Sequence, residues 1–222
     1  MLSGAHMHAG RGVVLTLLAI AAIGMAANTA RADGSGDGVY RRFDTDLTFQ
    51  LDVGAGVLSA GADGPSLVAE LRARIIDAAG LVVALDSAPR GQDHLFVGVE
   101  LRPFWPALFL MDRSSGHERW DLMLESLGVE LGAGITPLGD GLGVGLSWGV
   151  GVEVPLILPE TFARGVWLRL GARHQSVRSS TAGAPNSGQD TWLAYVTLAL
   201  RGGLNLGFSS WETPRYRVPE ER

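Results

Sequence analysis

The segment closest to a known catalytic pattern is Gly145-Leu146-Ser147-Trp148-Gly149, which matches the G-x-S-x-G pattern of serine hydrolases. That chemistry needs the serine on a sharp strand-to-helix turn, where its hydroxyl stands exposed. Here the motif lies inside a strictly alternating stretch with no helical pattern after it, so Ser147 reads as a mid-strand residue between glycines. Beyond residue 32, histidine occurs only at His94, His117 and His174. None falls in HExxH or another paired metal spacing, and a solvated or interfacial place is expected for each. Asp121 and Glu125 come into i,i+4 register if their segment is helical; a solvated helix face explains them. Cysteine is absent, which excludes disulfides, thiolate metal sites, thiol nucleophiles and a lipidated N-terminal Cys. The sequence therefore predicts no catalytic residue, no metal site and no cofactor.

A larger charged set recurs at strand spacing. Asp52, Glu70, Arg72, Arg74, Glu100, Arg102, Glu130, Glu153, Arg169, Arg173 and Arg201 all stand on the face opposite runs of Leu, Val, Ile and Ala. Their own face is otherwise largely Gly, whereas the outer strand face of a soluble protein carries varied, bulky polar residues. Five acids against six Arg allow near-neutral pairing, and buried charges must be paired and hydrogen-bonded. The interior of an eight-stranded barrel is just wide enough for side chains. The expected role of this set is mutual neutralisation in a salt-bridge plug. A charged constriction or conduction path is the sharper alternative.

The elements that position this set show period-two alternation. It runs through residues 45–58, 67–76, 81–86, 95–101, 127–135, 141–155, 166–173 and 192–208. The clearest case is 141–155, where every even position from Leu142 to Val154 is apolar and the odd positions are mostly Gly. Turn chemistry separates the strands: 59–65 (SAGADGP), 77–80 (DAAG), 87–93 (SAPRGQD), 137–140 (PLGD) and 176–190 (SVRSSTAGAPNSGQD). A short repeat, Gly-Val-Glu-(Leu/Val), begins at Gly98, Gly128 and Gly151 and puts Gly and Glu on one face. Eight strands is an even number, as a bacterial barrel with both ends in the periplasm requires. The connection at 103–126 is long, with an apolar part followed by a polar one. It reads as an interfacial helix or loop, or as a plug capping the barrel.

The chain has 222 residues, enough for one domain with a sizeable core. Residues 1–32 read as a cleaved signal peptide: Arg11 supplies the positive n-region, 13–27 the apolar core and Ala30-Arg31-Ala32 the small-x-small cleavage site. The net charge is −5, and removing those residues, which hold two Arg and no acid, leaves −7. No Lys/Arg run gives a reason to expect nucleic acid. Residues 33–44 read as a flexible lead-in, 45–208 as the barrel and 209–222 as a tail. No later segment is long and apolar enough for a transmembrane helix, so a membrane-embedded mature chain has to be a barrel. Of the large aromatics, Trp105, Trp120, Trp148, Trp192, Phe208 and Trp211 are candidates for interfacial girdles, while Trp167 falls on the charged face.

On these residues the chain resembles small bacterial outer-membrane barrels of the OmpA/OmpX type. The segment from Arg201 to Phe208 (RGGLNLGF) fits their terminal-strand signal position by position, with Arg201, Gly203, Leu206 and Phe208 at the polar, Gly, hydrophobic and aromatic places. The resemblance implies a closed antiparallel up-and-down transmembrane β-barrel, located in the outer membrane with lipid as its surroundings and the barrel-assembly machinery as its partner. The expected role is structural, adhesive or small-solute, without enzymatic activity. Two alternatives stand beside it. One is a soluble periplasmic barrel or sandwich that binds an apolar ligand. The other is a lipid-modifying barrel enzyme, a class that uses His, Ser and a carboxylate near the rim. His174 and Ser176 imitate two of those three groups, with no oriented acid identified from the sequence.

Overall fold

A computed structural model of the chain describes residues 45–59, 65–88, 93–110, 118–136, 143–156, 165–179 and 190–207. The expected signal peptide, lead-in and tail, together with His117, Phe208 and Trp211, lie outside the described residues. The alternating segments form eight strands: β1 (Leu47–Leu58), β2 (Pro65–Ile75), β3 (Ala79–Ser87), β4 (His94–Leu101), β5 (Gly128–Thr136), β6 (Gly143–Pro155), β7 (Gly165–Ser179) and β8 (Asp190–Leu204). Each pairs antiparallel with the next. β1 closes onto β8 with Leu47 opposite Leu204 and Leu58 opposite Leu193. The fold is an all-β, closed, eight-stranded up-and-down barrel. Closure leaves no unpaired edge, which an isolated alternating strand pattern does not guarantee.

Several boundaries differ from the sequence expectation. β7 runs on to Ser179, so the strand pattern invades the turn-rich stretch expected from 176. The last strand ends at Leu204 rather than 208, and Asn205, Leu206 and Gly207 turn away from it, Gly207 with φ 81°. The Leu206 N–H donates to the Asp46 carboxylate at 2.6 Å, an anchor that pulls the chain off the ladder. Between β2 and β3 the turn occupies 76–78, and Ala79 and Gly80 already belong to β3. Ile76 and Asp77 both take left-handed φ values (49° and 52°), the geometry of a tight hairpin that normally selects Asn and Gly. A β-branched residue there is strained. Asp77 is held by Arg102 at 2.8 Å and Arg74 at 3.3 Å, which locks the turn in place.

The long connection after β4 carries two helices, α1 (Phe104–Leu110) and α2 (Glu118–Glu125). Of the readings open from sequence, α2 follows the plug. Leu122 is fully buried against Trp167 and Ala199, both on the inner face of the barrel. The Ser126 hydroxyl accepts from the Glu153 N–H at 2.8 Å and lies 2.8 Å from the Glu153 carbonyl. It thereby extends the β6 ladder beyond the point where β5 begins. Asp121 and Glu125 share one helix face as expected, but that face is buried, not solvated.

Candidate functional site

The barrel wall sorts its side chains sharply. Val53, Leu81, Val97, Val99, Leu131, Val144, Leu146, Val150, Leu170, Val196 and Leu198 point outward and are exposed. The alternate positions point inward, and all eleven charged residues singled out from sequence are buried there. Each of the eleven takes part in at least one ion pair with another buried charge.

Glu153 is the most heavily engaged carboxylate. It meets Arg102 at 2.7 Å, Arg169 at 2.8 Å, Arg74 at 3.1 Å and Arg201, and it accepts from the Gln50 amide at 2.8 Å. Glu130 takes Arg169 at 2.5 Å, Arg72 at 2.8 Å and Arg173 at 2.9 Å. Register explains why arginine is the cation. Glu100 lies directly across from Glu130, and Asp52 across from Glu70, juxtapositions of like charge that destabilise a sheet on their own. A guanidinium with several donors in a fixed fork bridges both members of such a pair. Arg72 does so twice, from Glu100 (3.2 Å) to Glu130 and from Asp52 (3.0 Å) to Glu70. A lysine ammonium is too compact for that task.

The three Gly-Val-Glu repeats supply Glu100, Glu130 and Glu153, and two of their glycines, Gly128 and Gly151, make room for the network. A Cβ at Gly151 would clash with the Arg169 guanidinium, and one at Gly128 would sit 2.9 Å from a Glu100 oxygen. Sequence reasoning missed several members of the interior. Asp77 and Asp86 are buried and ion-paired, Asp86 to Arg173 at 3.9 Å. Gln50 bridges Asp52, Glu153 and Arg201. Asp86 and Gln50 stand at inward positions of β3 and β1, and parity alone finds them. His94, expected to be solvated, is buried inside the barrel near its loop end.

Apolar clusters flank the network toward both ends. Leu58, Val68, Leu193 and Tyr195 cluster inside the loop end, and Leu122, Trp167 and Ala199 inside the helix end. Arg201 stacks on Trp167 at 3.8 Å, and Arg173 lies 4.4 Å from the Phe96 ring centre. Cations against aromatic faces gain in such dry surroundings. Of the terminal-strand motif, Arg201 and Gly203 are buried on the inner face, while Leu206 lies beyond the strand and is exposed.

Ser147 is buried at mid-strand, and its hydroxyl donates to the His174 carbonyl at 2.9 Å. No strand-to-helix turn presents it, so the G-x-S-x-G segment lacks the geometry of a nucleophile elbow. His174 is different. Its ring faces outward between Trp148 (centroids 5.6 Å) and Trp192 (4.8 Å), and its Nε2 lies 4.0 Å from an Asp190 oxygen.

The chain matches no protein-family model and no curated protein. What fold and interior define is a class: a small closed β-barrel with a charged, self-neutralised core and an apolar outer wall.

Proposed function

We propose that this chain is an outer-membrane β-barrel, exported through a cleaved signal peptide, whose sealed interior serves as a rigid structural core. The observation that carries this reading is the inversion of the barrel wall: charges buried inside, Leu and Val exposed outside. A soluble barrel that binds an apolar ligand requires the opposite arrangement. The outward apolar run from Val144 to Val154 rises about 33 Å along β6, which at a tilt near 40° is about 25 Å along the barrel axis. That height suits the apolar band of outer-membrane barrels. Trp148 and Trp192, on the outer face toward the loop end, suit an interfacial aromatic position.

The interior is proposed to conduct nothing and to catalyse nothing, since its charges pair with one another and apolar clusters flank them toward both ends. The role then rests with the wall and the surface loops, as a structural or adhesive element rather than a solute pore. Arg201, Gly203, Leu206 and Phe208 are proposed to act as the signal for the barrel-assembly machinery while the last strand is still unpaired. The test is fractionation of cells expressing the full chain. The protein is expected in the outer-membrane fraction, released only by detergent, with heat-modifiable gel mobility and no conductance in planar bilayers. Recovery in the aqueous fraction without detergent would sink the membrane reading.

A further inference from the structure

From the geometry of the outer face we infer that Ser176, His174 and Asp190 form an acyl-ester hydrolase site on the barrel wall. It rests on the membrane reading above and goes beyond it. His174 and Ser176 are two residues apart on β7, so both side chains point outward, with Cβ atoms roughly 7 Å apart. β8 brings Asp190 directly opposite Ser176, and its carboxylate lies 4.0 Å from the His174 Nε2. It is an acid within ion-pair range of the imidazole, which the sequence did not reveal. The other ring nitrogen, Nδ1, is buried and, among the described residues, meets no hydrogen-bond partner. Closing the 4.0 Å gap to the Asp190 carboxylate would set the imidazole proton on Nε2 and leave the Nδ1 lone pair as the base.

The surroundings favour an amphiphile with a long chain. Leu146 flanks Ser176 on β6, Trp148 and Trp192 flank His174, and all three are exposed on the apolar wall. The two indoles pack edge to face at 5.2 Å and hold the imidazole between them. An acyl chain lying along this wall places its ester near the rings, where water from the loop end reaches it.

In the reaction, the Ser176 oxygen bonds to the ester carbonyl carbon while its proton passes to His174. The bond from that carbon to the alkoxy oxygen then breaks, and the leaving alcohol takes the proton from His174. Water, deprotonated by the same imidazole, attacks the acyl-serine and releases the carboxylic acid, restoring Ser176. Ser176 and His174 are the catalytic residues, and Asp190 is a positioning residue. The contact between nucleophile and base closes on substrate binding, as is common in free enzymes.

The test uses the full chain, purified from the outer membrane of expressing cells and reconstituted in phosphatidylethanolamine/phosphatidylglycerol vesicles, with 4-nitrophenyl laurate and 4-nitrophenyl acetate as probes. The laurate ester is expected to be cleaved at least tenfold faster than the acetate. A fluorophosphonate probe should label Ser176, as located by peptide mapping. Ser176→Ala and His174→Asn are each expected to lower the rate at least a hundredfold with heat-modifiable mobility retained. Asp190→Asn should lower kcat with KM unchanged, and Asp190→Glu should recover part of it. A heat-modifiable, membrane-inserted barrel with no laurate release above the Ser176→Ala background overturns this inference and leaves the membrane reading standing. Recovery of the protein from the aqueous fraction overturns the membrane reading and this inference with it.

Discussion

The interior and the outer face near β7 and β8 treat polar residues in opposite ways. Inside, Glu153 has four arginine partners and an amide, and Arg72 reaches four carboxylates. Such groups are tied to several partners at once, so moving any one breaks several ion pairs in a dry medium. Outside, His174 has one carboxylate at 4.0 Å and two aromatic neighbours, and a ring nitrogen without a partner among the described residues. Dense ion pairing builds a wall, even where single atoms such as Arg72 Nη1 and Glu153 Oε2 make no hydrogen bond among the described residues. A polar group on an apolar wall is held by few partners, which leaves it able to meet a substrate.

That contrast breaks most visibly at Glu153. Glu153→Ala leaves its arginines with an uncompensated buried charge, a loss of about 3–5 kcal/mol. It should be read as a collapse of the urea midpoint of the heat-modifiable band. Next comes the wall itself: Val150→Arg on the exposed face of β6 is expected to cost about 2–4 kcal/mol in vesicles if that face meets lipid. A value near zero would mean that the face meets water and would undo the inside-out contrast. Gly171→Ala is expected to cost about 1–3 kcal/mol by overpacking, because a Cβ there overlaps the Tyr195 ring; the same urea titration measures it. The smallest effect belongs to the outer face. His174→Asn and Asp190→Asn should each shift stability by no more than about 0.5 kcal/mol, and a shift as large as that of Glu153→Ala would make the cluster a structural element instead.

Parity was enough to find the eleven interior charges, because a strand has only two faces and a charge on the wrong one is costly. It also applied to Asp86 and Gln50, which escaped notice because Asp86 lies in a short strand and Gln50 carries no charge. The burial of Asp121, Glu125 and His94 was not legible. Helical spacing says which residues share a face, but not what that face meets.

What the sequence alone determined is the strand alternation, the even strand count and the sorting of charge against apolar surface, all of them local properties of a period-two chain. Only the tertiary structure decided the rest. Closure set Glu100 against Glu130 and called for bridging arginines. The plug helix buried Asp121 and Glu125. The β7–β8 register brought Asp190, fourteen residues beyond Ser176, to the side of His174. Register depends on which backbone groups pair around the whole barrel, and no stretch of sequence within one strand contains that information.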